Sequence, residues 1–376
     1  MYAITVGANE DGQRLDRFLK KYLRAAPLSL IYRLIRKDVK VGGARVAIDY
    51  MLRAGEEISL FLSDERVTEL TGRREREQGA YGAKGAKAKR KFGVAYEDEH
   101  ILVVSKPYGL LTHGDKVEKK ETLVNQVTGY LLERGEYDPG AERMFTPSPV
   151  NRLDRNTSGL VVFGKDSKAV RDFSKMIAET DCVEKYYLTI VKGGLEGTLV
   201  LKDRILKDTE KNKVAVLPEH GEDGKAAETH VRPVEQFGGS KRPGRPGRTD
   251  NSKHAGSAGG AGHAGLYTLV EVRLVTGRTH QIRAHLAGAG YPVIGDTKYG
   301  DPGENRRMEK TFGLTSQFLH ANRLKVIRGR NTLEYLSGRE FESPLPKRLA
   351  DICETLREEK EQKTKTSTRV NNREQR

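Results

Sequence analysis

Two stretches of this chain cannot contribute to a hydrophobic core, and they limit how the rest can fold. The first, within residues 66–91, contains GRREREQGAYGAKGAKAKRK, which has no apolar periodicity. A flexible basic linker over 63–92, marking a domain boundary, is the expectation there. Residues 238–265 are rich in Gly, Ser, Arg and His without one large aliphatic side chain, so a disordered insertion is expected. The chain is thereby divided into a front segment of 1–62, a body of 93–350 that carries the insertion, and a charged, partly disordered tail of 351–376.

Charge follows the same division. The 376 residues include 67 basic and 52 acidic side chains, a net charge of +15 that favours a polyanion such as nucleic acid over an acidic metabolite. The front segment holds 11 basic and 7 acidic side chains, residues 66–92 hold 9 and 3, the insertion 5 and 1, and the tail 7 and 6. The rest of the body is nearly neutral, so binding and chemistry are expected in different parts. Two cysteines, Cys182 and Cys353, cannot build a disulfide framework, and no Cys/His cluster has zinc spacing. The N-terminus MYAITVGANEDGQ lacks a signal pattern, and no apolar run approaches the roughly 18 residues of a membrane span. A soluble, monomeric, cytoplasmic protein is expected.

In the front segment Leu15, Phe18, Leu19, Tyr22 and Leu23 fall on one helical face, with Arg14, Arg17, Lys21 and Arg24 on another. Pro27 ends that helix. A second helix, with Ser29 as its N-cap, turns Ile31, Leu34 and Ile35 inward and Arg33, Arg36, Lys37 and Lys40 outward. Val39 and Val41 lead into the Gly42-Gly43 turn, and Ile58, Leu60 and Leu62 alternate in a closing strand. The result is a compact ααβ module with two adjoining basic stripes, any one of which, taken singly, is most often a solvated helix face.

The body mixes strand-like and helical runs without a regular βαβα beat, which points to an α+β fold. Its segment ILVVSKPYGLLTHG, residues 101–114, reads as a buried strand ending at Lys106-Pro107. In PVNRLDRNTSGLVVFGKD, residues 149–166, Asp154 precedes a Thr157-Ser158-Gly159 turn and a buried strand. A loop there can present a carboxylate to a cleft, although such an Asp is more commonly a turn cap. Gly159 to Lys165 has the spacing of a phosphate-binding loop, but its middle residues form a strand and Asp166 stands where Ser or Thr is needed. Ser158 lacks the Gly-x-Ser-x-Gly elbow of a nucleophile. In VRLVTGRTHQIRAHLAGAGYPVIGDTKYG, residues 272–300, a strand leads through Gly277 to a helix capped by Thr279. His280 and His285 are five apart, one too many for zinc on one helix face. His254 and His263 lie among glycines without ligand partners. No metal is expected.

Three separated motifs, RLDRNTSGL (152–160), EKYYLTIV (184–191) and GRTHQIRAHLAGAGYPVIGD (277–296), resemble in order the catalytic domain of the RluA-type pseudouridine synthases. Lys106-Pro107, Leu319-His320-Ala321 and Ser343-Pro344-Leu345-Pro346 support the likeness. One departure is Asn151, where the family often has His, which puts an RNA contact in doubt. The front segment resembles the RNA-binding domain named after ribosomal protein S-four. The pair together resemble bacterial enzymes that modify large-subunit ribosomal RNA, of the RluC and RluD kind. The implied fold is an α+β one, an S-four-type module joined by the linker to a catalytic domain with a mixed or antiparallel sheet.

The implied reaction breaks the N1–C1′ bond of uridine, turns the base and joins C5 to C1′, with no redox change and no cofactor. The resemblance assigns Asp154 to the sugar, Arg283 to an ion pair that favours the charged carboxylate, and Tyr187 to supporting the uracil and to the base or proton role. Ile282 and Leu160 are implied apolar walls. Arg152, Arg155, Arg278 and His280, adjoining the motifs, are candidate RNA contacts, with surface ion pairs as the alternative. Arg33, Arg36, Lys37, Lys40 and Arg45 are the implied phosphate contacts of the front module. The uridine must be flipped out or come from a loop. The same chemistry on transfer RNA, and a catalytically silent RNA-binding assembly factor, are the alternatives. If the insertion adds RNA affinity through counterion release, deleting residues 238–265 weakens binding and flattens its salt dependence; unchanged binding at low salt would defeat that role.

Overall fold

A computed structural model describes residues 1–72, 89–139, 144–208, 213–238 and 265–374, with backbone alone beyond residue 362. Residues 73–88 of the expected linker and 239–264 of the expected insertion lie outside the described residues.

The front segment runs β1 (Tyr2–Thr5), a 3-10 turn (Ala8–Glu10), α1 (Leu15–Tyr22), α2 (Leu28–Lys37), β2 (Val39–Val41) and β3 (Glu57–Leu60). β3 lies between β1 and β2, antiparallel to both. The expected ααβ module is therefore corrected to βααββ. β1 leaves a weak trace in the sequence because it is four residues long and Tyr2 and Ile4 are only partly buried. The helices bury Leu15, Phe18 and Leu19, and Ile31, Leu34 and Ile35, the faces that their periodicity marks. The start of α2 differs from expectation. Pro27, extended at φ −67° and ψ 152°, occupies the N-cap in place of Ser29, and its missing N–H costs a helix start nothing. Gly42 and Gly43 reverse the chain with φ of 56° and 81°. The expected linker begins with a helix, α3 (Asp64–Thr71): Ser63 accepts the Arg66 N–H, and Val67 and Leu70, three apart, pack into the front core.

The body is a mixed sheet with helices. Its strands are β4 (Gly93–Glu97), β5 (Ile101–Lys106), β6 (Ser148–Pro149), β7 (Ser158–Gly164), β8 (Val183–Lys192), β9 (Leu199–Asp208), β10 (Lys213–Leu217), β11 (Lys225–Phe237), β12 (Tyr267–Leu274), β13 (Leu319–Val326) and β14 (Glu340–Glu342). The order is β10-β9-β11-β12-β8-β13-β7-β5-β4, with β14 on β13 and β6 on β7. The helices are α4 (Leu123–Glu133), α5 (Ser167–Ala178), α6 (Gln281–Gly288), α7 (Pro302–Phe312) and α8 (Lys347–Glu374). Asn9 of the front segment accepts the Ser167 N–H at the start of α5, at 2.8 Å. The start of α8 belongs to the core: Leu349, Ile352, Cys353 and Leu356 are buried with Phe237, Tyr267 and Phe318. Their spacing of three and four is the helical signal that places the first turns of the expected tail inside the fold.

Among the described strands, β13 against β7 is the one parallel pair, and it joins two antiparallel halves. β7 is buried along its whole length. Its side chains alternate: Val161 and Phe163 face one core, while Leu160 and Val162 face another with Ile101 and Val103. At the seam Gly159 pairs with Ala321 at φ 113°, and a Cβ there would meet the Ala321 backbone well inside contact distance. Gly159→Ala is thus expected to destabilise the fold by about 2 kcal/mol or more, through strain and steric displacement. Thermal unfolding checks this, and an unchanged melting temperature would show that the seam is not close-packed.

Candidate active site

Asp154 sits in a tight turn whose main chain, not its carboxylate, closes the reversal: the Thr157 N–H donates to the Asp154 carbonyl at 3.1 Å. The side chain is thus released from the capping role that a lone sequence segment suggests. The loop is held from outside. Lys106, at the end of β5 and 1% exposed, donates from Nζ to the carbonyls of Pro107, Leu110 and Arg155 at 3.1, 2.7 and 3.1 Å. Burial pulls its pKa down to about 7, with Asp154 opposing. Three carbonyl acceptors match the three N–H bonds of an ammonium, so the geometry suits the charged form. Thr112 clamps the other side, its hydroxyl donating to the Leu153 carbonyl at 3.0 Å and accepting the Leu153 N–H at 3.3 Å. Asn151 ties the same loop to β7: its amide accepts from Val162 N–H at 2.9 Å and donates to the Leu160 carbonyl at 3.2 Å. In this chain the departure at Asn151 serves the backbone.

Arg283 reaches Asp154 from α6, in the other half of the sheet. Its Nη1 donates to Asp154 Oδ2 at 3.2 Å. Its Nε and Nη2 bind Asp296 side-on, at 2.6 and 2.8 Å. Both groups of that second pair are buried, at 5% and 0% side-chain exposure. Asp296 also accepts the N–H groups of Lys298 and Tyr299. Burial would lower the Arg283 pKa, but the hydrogen bonds and charges of Asp296, and then of Asp154, raise it; burial pushes Asp296 up and Arg283 overrides that, holding it below its ordinary value. Tyr187, in mid β8, is 8% exposed, and burial, reinforced by the Asp154 charge, raises its pKa. Its phenol therefore stays protonated at neutral pH.

Asp154, Tyr187 and Arg283 line one cleft of about 350 Å³, together with Arg152, Arg278, His280 and Ile282. Arg155 lines an adjoining cleft that shares Asp154 and Arg283. Leu160 does not reach either. It faces the core beside Ile101 and Val103, because the two-residue strand period turns it away, and the apolar walls beside Ile282 are Leu153, Leu274 and Leu319. The expected cap of α6 is also corrected: His280, not Thr279, is the N-cap, in the left-handed conformation with φ 53°. Arg33, Arg36, Lys37 and Arg45 are exposed and Lys40 is half-buried beside Phe61, all in the front segment and absent from the cleft lining. The sequence reading passes over Asp296, Tyr299, Thr112 and Lys207, which lines both clefts. Asp296 lies inside the third motif, and a buried arginine with only one partner was the available signal.

The RNA pseudouridylate synthase family model matches residues 100–288, which contain Asp154, Tyr187 and Arg283. The chain belongs to the RNA pseudouridylate synthase family. It is 30% identical over 365 residues to ribosomal large subunit pseudouridine synthase C of Vibrio vulnificus, covering 94% of this chain and 96% of that one. To the Escherichia coli K12 protein of the same name it is 31% identical over 326 residues, covering 86% and 87%. In structure it is similar to human RNA pseudouridylate synthase domain containing 4, at a TM-score of 0.50 and 18% identity over 76% of this chain and 98% of that one. The chain is thus an RNA pseudouridine synthase, an isomerase. Among the described residues no helix is long and apolar enough to cross a membrane.

Lys106→Met leaves three carbonyls in a pseudouridine synthase loop without their donor. The expected loss is about 3 kcal/mol or more, read as a lower melting temperature, with a slower reaction because Arg155 is released. Unchanged stability and rate would show that water replaces the ammonium at no cost.

Proposed function

We propose that this pseudouridine synthase isomerises uridine in large-subunit ribosomal RNA, with Asp154 acting at the sugar, Arg283 holding the carboxylate and Tyr187 supporting the base. The observation that carries this reading is the convergence of the three side chains on one cleft from β7's leading loop, β8 and α6. The reaction needs no more than a carboxylate, a cation beside it, an aromatic floor and proton transfer. The N1–C1′ bond breaks, C5 bonds to C1′, the C5 proton leaves and N1 gains one. All three groups come from one chain, so a monomer suffices.

Arg152, Arg155, Arg278 and His280 stand around the mouth and suit contacts to the backbone of a flipped nucleotide. The front module is assigned as an S-four-type RNA-binding domain, positioning RNA through Arg33, Arg36, Lys37, Lys40 and Arg45. Support for the ribosomal substrate comes from the names of the relatives, which match nearly end to end. The large basic excess outside the body supports the same division of labour.

The test is pseudouridine mapping in ribosomal and transfer RNA from cells with wild-type protein, cells with Asp154→Ala and cells lacking the gene. The expected result is loss of one or a few large-subunit sites, equally in the mutant and the deletion. Loss confined to transfer RNA would move the substrate, and no loss at all would remove the catalytic role of Asp154.

A further inference from the structure

The two oxygens of Asp154 are not equivalent. Oδ2 is addressed by Arg283 Nη1 at 3.2 Å and by His280 Nε2 at 3.7 Å, whereas Oδ1 accepts no hydrogen bond among the described residues. His280 reaches this place through a backbone conformation that side-chain-bearing residues rarely adopt, φ 53° and ψ 17° at the start of α6. Strain of that kind persists only where the surroundings impose it. The imidazole is held by Tyr299, whose ring meets it edge-on at a centroid distance of 5.7 Å and whose hydroxyl lies 3.0 Å from Nδ1.

The hydrogen bonds at that hydroxyl point to one tautomer of the imidazole. The Val214 N–H of β10 donates to the Tyr299 oxygen at 2.8 Å. A backbone amide can only donate, so this bond fills one lone pair of the oxygen, and Nδ1 is the acceptor that lies within reach of the phenolic proton. Nδ1 is then an acceptor, and the ring proton resides on Nε2, the nitrogen that faces Asp154. Arg283 stacks its guanidinium over the same Tyr299 ring at 5.3 Å, so one tyrosine braces both side chains that face Oδ2.

We propose that Tyr299 and His280 are positioning residues. Tyr299 fixes His280 as the neutral tautomer protonated at Nε2, His280 and Arg283 together address Oδ2, and Oδ1 is left as the oxygen that meets the ribose. The role of Oδ1 rests on the reading of Asp154 as the catalytic carboxylate. The tautomer does not. The segment carrying Asp296 and Tyr299 thereby governs the carboxylate without touching it. Through Val214 it also ties the β9–β10 hairpin to the same network.

The test uses the full chain labelled with nitrogen-15 in the histidine rings, with the His280 signals identified by their loss in His280→Asn, since asparagine tolerates the left-handed conformation. The expected spectrum has a protonated Nε2 and an unprotonated Nδ1. In Tyr299→Phe, which keeps the ring and removes the hydroxyl, that preference is lost. A proton on Nδ1, a charged ring at neutral pH, or a spectrum unchanged in Tyr299→Phe would overturn the assignment. On ribosomal RNA from cells lacking the gene, single-turnover rates of Tyr299→Phe and His280→Asn are expected to fall about tenfold or more, with RNA affinity unchanged in Tyr299→Phe. Wild-type rates in both variants would overturn the positioning role. If Asp154→Asn keeps the wild-type rate, the reading of Asp154 falls and the role of Oδ1 with it, while the tautomer is scored independently.

Discussion

The cleft of this protein is organised around a guanidinium shared between two carboxylates. Arg283 gives two of its nitrogens to Asp296 and one to Asp154. Asp296 is wholly buried, and breaking a pair of that kind by removing one partner leaves a buried charge uncompensated, at a cost of about 3–5 kcal/mol. The side-on pair fixes the plane of the guanidinium, which a lysine's point charge would not do. One negative charge remains over the three groups, so Asp154 is oriented without being fully neutralised. Lys106, Thr112 and Asn151 then hold the loop of Asp154 against this fixed plane.

Much of the arrangement is legible in the sequence because it rests on patterns with short physical causes. The helical stripes of α1 and α2 and the buried runs of β5 and β7 follow from apolar spacing. The positions of Asp154, Tyr187 and Arg283 follow from the three motifs together. Taken alone, the Asp154 segment reads as a capped turn, and that reading fails because the main-chain carbonyl makes the turn. Leu160 was misplaced because a two-residue period has to be anchored to a face, and the sequence does not say which face of β7 the cleft adjoins. β1 and α3 escaped because one is short and half-buried and the other hides two apolar residues at the edge of a basic run. Asp296 and Tyr299 act on Arg283 and His280 only after the loop following α6 folds back, a contact with no local signature.

The division of charge has a counterpart in this geometry. The body's own arginines at the cleft are few and several are engaged: Arg155 donates to the Gly109 carbonyl and Arg278 to the Ala226 carbonyl. The basic excess that would attract a polyanion at long range lies mainly in the front segment and in the sequence of the two basic stretches, and attraction of that kind is screened by salt. The buried groups around Asp154 are shielded from it.

The parallel seam between β7 and β13 has a kinetic meaning. Asp154 and Arg283 are separated by 129 residues, the first in the loop before β7 and the second on α6, which follows β12. Their contact closes a loop whose entropic cost is met only after both halves are built, since non-local pairings are the slow ones to form. An intermediate with either half intact holds a carboxylate without its cation, or a cation without its carboxylate. On the role proposed for the pair, catalytic competence is a property of the closed chain and of neither half alone.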